Sequence, residues 1–95
     1  MIPPDFNRAE NVLRGIVNRL TRYLSAEDLT NIMELIDHTE SGVAFELLCD
    51  QLYEYADEVE LLISEVVYRD IQTLGVYFGF TKDTWEPLAS FVVEP

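Results

Sequence analysis

The stretch Ser41–Glu58, SGVAFELLCDQLYEYADE, constrains the fold of this chain more than any other. At about 3.6 residues per turn it has two unlike faces. Ala44, Phe45, Leu47, Leu48, Leu52, Tyr55 and Ala56 fall on one broad apolar side. That side is wide enough to meet neighbours in more than one direction, as a central helix must. Glu46, Asp50, Glu54 and Asp57 fall on a narrow stripe opposite, at successive spacings of four, four and three residues. Like charges stacked in this way cost a helix about 0.2–0.5 kcal/mol per pair. A column of acids that works against its own helix points to a use outside the chain.

The charge balance extends that argument. The chain has 18 acids against 6 bases, a net −12. Residues 1–24 hold four Arg and two acids, a net +2, whereas residues 25–68 hold twelve acids and no Lys or Arg. A hydrophobic content of 48% with 12% aromatics is too high for a disordered acidic tail. The 95 residues therefore read as one globular domain, 1–95, with too little chain for two. Nucleic acids and anionic membranes are poor partners for such a surface, because binding to them depends on Lys and Arg; a cationic protein is a good one. The single cysteine, Cys49, rules out a disulfide framework within the chain. The opening MIPPDFNRAE lacks the basic start and apolar run of a secretory signal. No stretch approaches the length of a membrane span. A cytoplasmic location is expected.

Taken in order, the chain predicts helix after helix. Asp5 suits an N-cap, and Phe6, Ala9, Leu13, Ile16, Val17, Leu20 and Leu24 recur at helical spacing, so a first helix is predicted from Phe6 to Tyr23. Gly15 weakens that helix by about 1 kcal/mol relative to Ala, which suggests a place of tight packing. Ser25 is placed to cap a second helix at the amide of Asp28, with Leu29, Ile32, Met33 and Ile36 as its buried stripe and an end near His38. The central helix follows, over Ser41–Asp57. Ser64 caps the next, with Gly79 as its C-terminal stop. A last short helix is predicted near Asp83, where Asp-Thr-Trp-Glu has the form of a capping box and Pro87 falls in a first turn. The fold class expected is all-α: one small domain of about five helices around residues 41–57. Val76–Phe80 and Phe91–Val93 are strand-like runs that leave a mixed fold as the alternative.

The residues offer little catalytic chemistry. His38 is the only histidine, and at the end of a helix it suits the dipole. Glu34 and His38 are four apart, but two ligands do not make a metal site. Cys49 flanks the apolar face and reads as a buried, inert thiol. Neither a calcium-loop spacing nor a Gly-rich phosphate loop occurs. No enzyme activity, metal or cofactor is expected. Tyr53 borders the acidic stripe, where an exposed aromatic beside charge suits an interface anchor.

A short capped helix is followed by ELIDHTESGVAFELLCDQLYE, a linker, ISEVVYRDIQTLGVYFGF and the Trp-containing TWEPL. Over about residues 24–90 this order resembles the small helical immunity proteins of bacterial polymorphic toxin systems. The closest type is the MafI-like group, relatives of the immunity proteins of contact-dependent growth inhibition. The marks are the Gly-Val-Ala-Phe-Glu-Leu-Leu and Ile-Ser-Glu helix starts, the Leu-Gly pair and the late Trp, which are mostly packing positions; the Arg-rich first helix has no counterpart in it. The resemblance implies a protein that binds one cognate toxin domain, commonly a nuclease, in the cytoplasm of the cell that makes both, as a 1:1 heterodimer.

The physics beside the resemblance stands separately. A nuclease domain binds a polyanion and is usually basic around its active site. An acidic surface meets it with complementary potential, which speeds association and disfavours wrong partners. The expected partner-binding residues are Glu46, Asp50, Glu54 and Asp57, with Tyr53 as anchor, Glu58 at the rim, and Glu34 and Asp37 extending the surface onto the preceding helix. The alternative is a small acidic adaptor or regulator of another cationic partner.

Overall fold

The computed structural model describes residues 6–93; the expected cap Asp5 lies outside them. The fold is all-α. Among the described residues there are four α-helices: α1 (Phe6–Arg19), α2 (Ala26–Asp37), α3 (Ser41–Glu54) and α4 (Glu65–Tyr77). Short 3₁₀ segments cover Thr21–Tyr23, Lys82–Thr84 and Glu86–Phe91, and two two-residue strands complete the chain, β1 (Ile63–Ser64) and β2 (Val92–Val93). The strands pair in parallel, Ile63 opposite Val92 and Ser64 opposite Val93. The strand-like run at Phe91–Val93 is thus realised only as this short pair, and Val76–Phe80 forms the end of α4 and its cap.

Local signals set most helix ends. The Ser25 hydroxyl accepts the Asp28 amide at 3.0 Å, and the Ser64 hydroxyl accepts the Val67 amide at 3.2 Å. Each satisfies an N–H that the first turn leaves without a partner. Gly79, at φ +85°, closes α4: its own N–H bonds to Val76 O and the Phe80 N–H to Gly75 O, the paired bonds of a Schellman motif. The same pair of bonds closes α2, from Thr39 to Ile36 O and from Glu40 to Leu35 O. There the left-handed position falls on Thr39, at φ +61°, a conformation unfavourable for a β-branched residue.

α3 is the most buried helix, as its broad apolar face requires. Ser41, Ala44, Phe45, Leu48, Cys49 and Leu52 are all buried, packed against α1, α2 and the C-terminal 3₁₀ segments. The Phe45 ring centroid lies 5.8 Å from those of both Phe78 and Phe80. Leu13, Ile16, Val17 and Leu20 of α1, Ile32 and Ile36 of α2, and Ile71 and Leu74 of α4 join it in the core.

Four boundaries or contacts differ from the sequence reading. The α-helix of α1 ends at Arg19, where the Leu20 N–H is shared between Ile16 O and Val17 O, and a 3₁₀ turn follows. α3 ends at Glu54 rather than Asp57; the chain turns through Tyr55–Glu60, with Glu60 at φ +53° and the Leu61 N–H on Ala56 O. The last helix is a pair of 3₁₀ segments in which Asp83 is no cap, and the second segment has Trp85 at its N-cap with no side-chain capping bond. Trp85 itself is drawn into the core: a Cβ on Gly75 would lie 2.2 Å from its indole Cε3. Gly15, where tight packing was expected, has no atom within 4 Å of its missing Cβ and is exposed.

The two mid-helix glycines should therefore respond oppositely to alanine. Gly15→Ala is expected to stabilise the protein by about 1 kcal/mol through helix propensity. Gly75→Ala is expected to destabilise it by about 1–3 kcal/mol or more, because the indole must shift. Thermal melts of both variants check this; equal effects would contradict the packing described. Leu48, fully buried, should cost about 2–5 kcal/mol when cut to Ala, read from a urea titration.

Candidate partner-binding surface

The outward side of α3 carries the acids. Glu46, Asp50 and Glu54 are all exposed on it. Asp57 leaves the stripe, because the helix has ended, and with Glu58 it is exposed in the turn beyond. Glu54, as the last residue of α3, also meets the negative end of the helix dipole. The column is thus disfavoured by its own helix twice, through like charge and through the dipole. It persists because packing of the apolar side, not propensity, supplies most of a helix's stability.

Four of the chain's six cations are engaged elsewhere. Arg14 bridges Glu10 at 3.0 Å and Asp37 at 2.7 Å, Arg69 meets Glu65 at 2.6 Å, and Lys82 meets Glu86 at 3.8 Å. Arg22 lies over the Tyr23 ring, 5.4 Å from its centroid. Among the described residues, no ion pair involves Glu34, Glu46, Asp50, Glu54, Asp57 or Glu58. Asp37 is different: it ties α2 to α1 through Arg14, whose guanidinium is held more firmly protonated by Asp37 first and Glu10 second. It therefore belongs to a helix–helix contact rather than to the unpaired acids. Glu34 does adjoin α3, since it lines with Leu47 an open depression of about 450 Å³ between α2 and α3.

Tyr53 is 55% exposed beside the column. Its ring meets Phe91 edge-on at 6.5 Å, and it lines a depression with Glu86 and Pro87 of the last 3₁₀ segment. Two further residues of this surface escape the sequence reading. Val43 lies on the outward side, 49% exposed, one turn before Glu46. Tyr55, assigned to the apolar face, is exposed because it caps α3 instead of continuing it. Its phenol is pushed above the ordinary tyrosine value by Glu54 first, then by partial burial, Asp28, Glu58 and Glu27. Acids at the start of α2 and at the end of α3 thus act on the same phenol. In the sequence reading Asp28 figures only at the cap of α2, and Glu27 is not singled out.

Cys49 and His38 occupy local roles. The Cys49 thiol is buried, and burial pushes it up to about 12, with Asp50 and Glu46 adding to the shift. His38 caps α2, its Nδ1 2.7 Å from the carbonyl oxygen of Glu34. Among the described residues, no group of three or more His, Cys, Asp or Glu side chains is arranged to hold a metal ion. No described helix is long and apolar enough to cross a membrane. Comparison with known protein families, curated proteins and solved structures finds no match to this chain.

The shift at Tyr55 is open to direct measurement. Tyr55 should titrate above the ordinary tyrosine range, and Glu54→Gln should bring it back towards that range, as should added salt, which screens exposed charges. A pH titration of ring-labelled tyrosines by NMR reads the shift. A Tyr55 resonance indifferent to Glu54→Gln would remove this ring from the acidic surface.

Proposed function

We propose that this protein is an immunity protein that binds and neutralises a cognate toxin domain, a basic nuclease, through the outward face of α3. The observation that carries the reading is the row Glu46, Asp50 and Glu54. These acids are exposed, unpaired among the described residues and opposed by their own helix. Folding alone gives no reason to keep them. A cationic partner does, because complementary potential raises the encounter rate and penalises wrong partners. Asp57, Glu58 and Glu34 border the row, and Tyr53 and Val43 supply apolar contact within it. This is the anatomy of an interface in which a few aromatic or aliphatic anchors sit among charges.

The resemblance over residues 24–90 supports the same reading. On this view the protein is not an enzyme and needs no cofactor. It works in the cytoplasm as a 1:1 complex and acts by occupying the toxin surface. Fast capture is the functional demand, since free toxin kills its producer, and a concentrated negative field favours fast capture.

Folding and binding should separate in a triple variant, Glu46→Gln, Asp50→Asn and Glu54→Gln. The free protein should melt at the same temperature or slightly higher, because each change removes a like-charge neighbour. Its association rate with the cognate toxin domain should fall by roughly tenfold or more at low salt. That gap should close near 1 M salt, where the Debye length is about 3 Å. Stopped-flow binding with thermal melts makes the measurement. A variant that melts early yet binds at the normal rate would show the column to be structural.

A further inference from the structure

Among the described residues, three of the seven large apolar side chains left exposed lie around the β1–β2 pair: Leu62 at 58%, Val66 at 61% and Val93 at 41%. Their exposure follows from how the chain is anchored. The Leu61 N–H bonds to Ala56 O across the left-handed turn at Glu60, and Leu61 is buried. Ile63 is also buried, in register with Val92, so strand alternation drives Leu62 outward. Ser64 follows on Leu62's side of the strand and faces Val93 across the pair. Ser64 then caps α4, whose first turn buries Val67 and exposes Val66. A solvated position here would ordinarily be polar. Instead the fold holds three aliphatic groups out on a framework fixed by a strand pair, a helix cap and a closed turn.

The patch has an acidic surround. Glu58 and Glu60, both exposed, precede it, and Glu65, between Ser64 and Val66, is paired with Arg69, which leaves the rim negative on balance. It also continues towards the column, because Phe91, which leads directly into β2, meets Tyr53 edge-on. We propose that Leu62, Val66 and Val93 form the apolar centre of the interface with the cationic partner; this rests on the reading that the acidic face of α3 binds such a partner. An apolar patch rimmed by charge is the usual build of a recognition site. The sign of the rim selects the occupant. A second copy of this chain would bring acids against acids, and an anionic lipid surface would be repelled in the same way. A cationic surface with an apolar middle satisfies both parts. The division of labour is kinetic: the column governs encounter, and the patch, already held in place, governs how long the complex lasts.

Two synthetic peptides of equal lysine count serve as probes, one an amphipathic Leu/Lys helix and the other a Ser/Lys sequence. The wild-type protein should bind the Leu/Lys peptide on the order of tenfold more tightly, the worth of a buried aliphatic side chain. Leu62→Ser with Val66→Ser should erase that advantage without changing affinity for the Ser/Lys peptide or its salt dependence. The column variant should weaken both peptides. Should the double variant melt early, Leu62→Gln alone takes its place. Equal affinity of the wild type for the two peptides, or an advantage that survives the double variant, overturns the inference and leaves the acidic interface standing. A column variant that binds both peptides as the wild type does overturns the reading beneath it. A wild-type dimer in sedimentation that the double variant abolishes would make the patch a self-interface and would also overturn the inference.

Discussion

The indole of Trp85 rests on the bare backbone of Gly75, and the C-terminal third of the molecule depends on that contact. There is no space for a side chain at Gly75, so the ring packs directly against the backbone of α4. With Trp85 fixed, the 3₁₀ segment Glu86–Phe91 is laid across the end of α3, Leu88 is buried, and Phe91 is brought to Tyr53. β2 then falls into register with β1. A strand pair of two residues each has little stability of its own. It exists because the packing upstream delivers both strands to one place.

That dependence explains what the sequence makes legible and what it does not. The caps at Ser25, Ser64 and Gly79 are local: each is decided by a side chain and an amide within a few residues. The breadth of the apolar face on Ser41–Leu52 is local too, and it places the most buried helix correctly. The end of α3 is not local. Continuing it to Asp57 obeys the periodicity, but the turn through Glu60 carries Leu61 into the core, and tertiary burial outweighs the pattern. Gly15 and Gly75 look alike in the sequence; only the arrival of a ring ten residues further on distinguishes them. Asp37 reads as one more acid until Arg14, 23 residues away, is set beside it.

The acidic surface divides in the same manner. Glu46, Asp50 and Glu54 are readable from spacing because a helix converts spacing directly into geometry. Tyr55, Glu27 and Asp28 come together only when α2 and α3 are packed side by side, and no pattern within one helix announces this. Local choices in a foldable sequence usually agree with its global structure. Here one such disagreement is the outward face of α3, where acids that serve their own helix poorly stand exposed.

The regular rise of α3 gives that face a further property. Four residues along an α-helix advance about 6 Å, so Glu46, Asp50 and Glu54 form a comb with a fixed pitch. α3 is packed along most of its buried side, and the turns at Thr39 and Glu60 are closed by hydrogen bonds at both ends, so the pitch cannot stretch to suit a visitor. A basic helix repeats its i,i+4 cations at the same interval, and a basic strand repeats alternate side chains every 6–7 Å or thereabouts. On the proposed reading, either kind of element laid lengthwise would meet the three acids in register, whereas cations scattered without period would not.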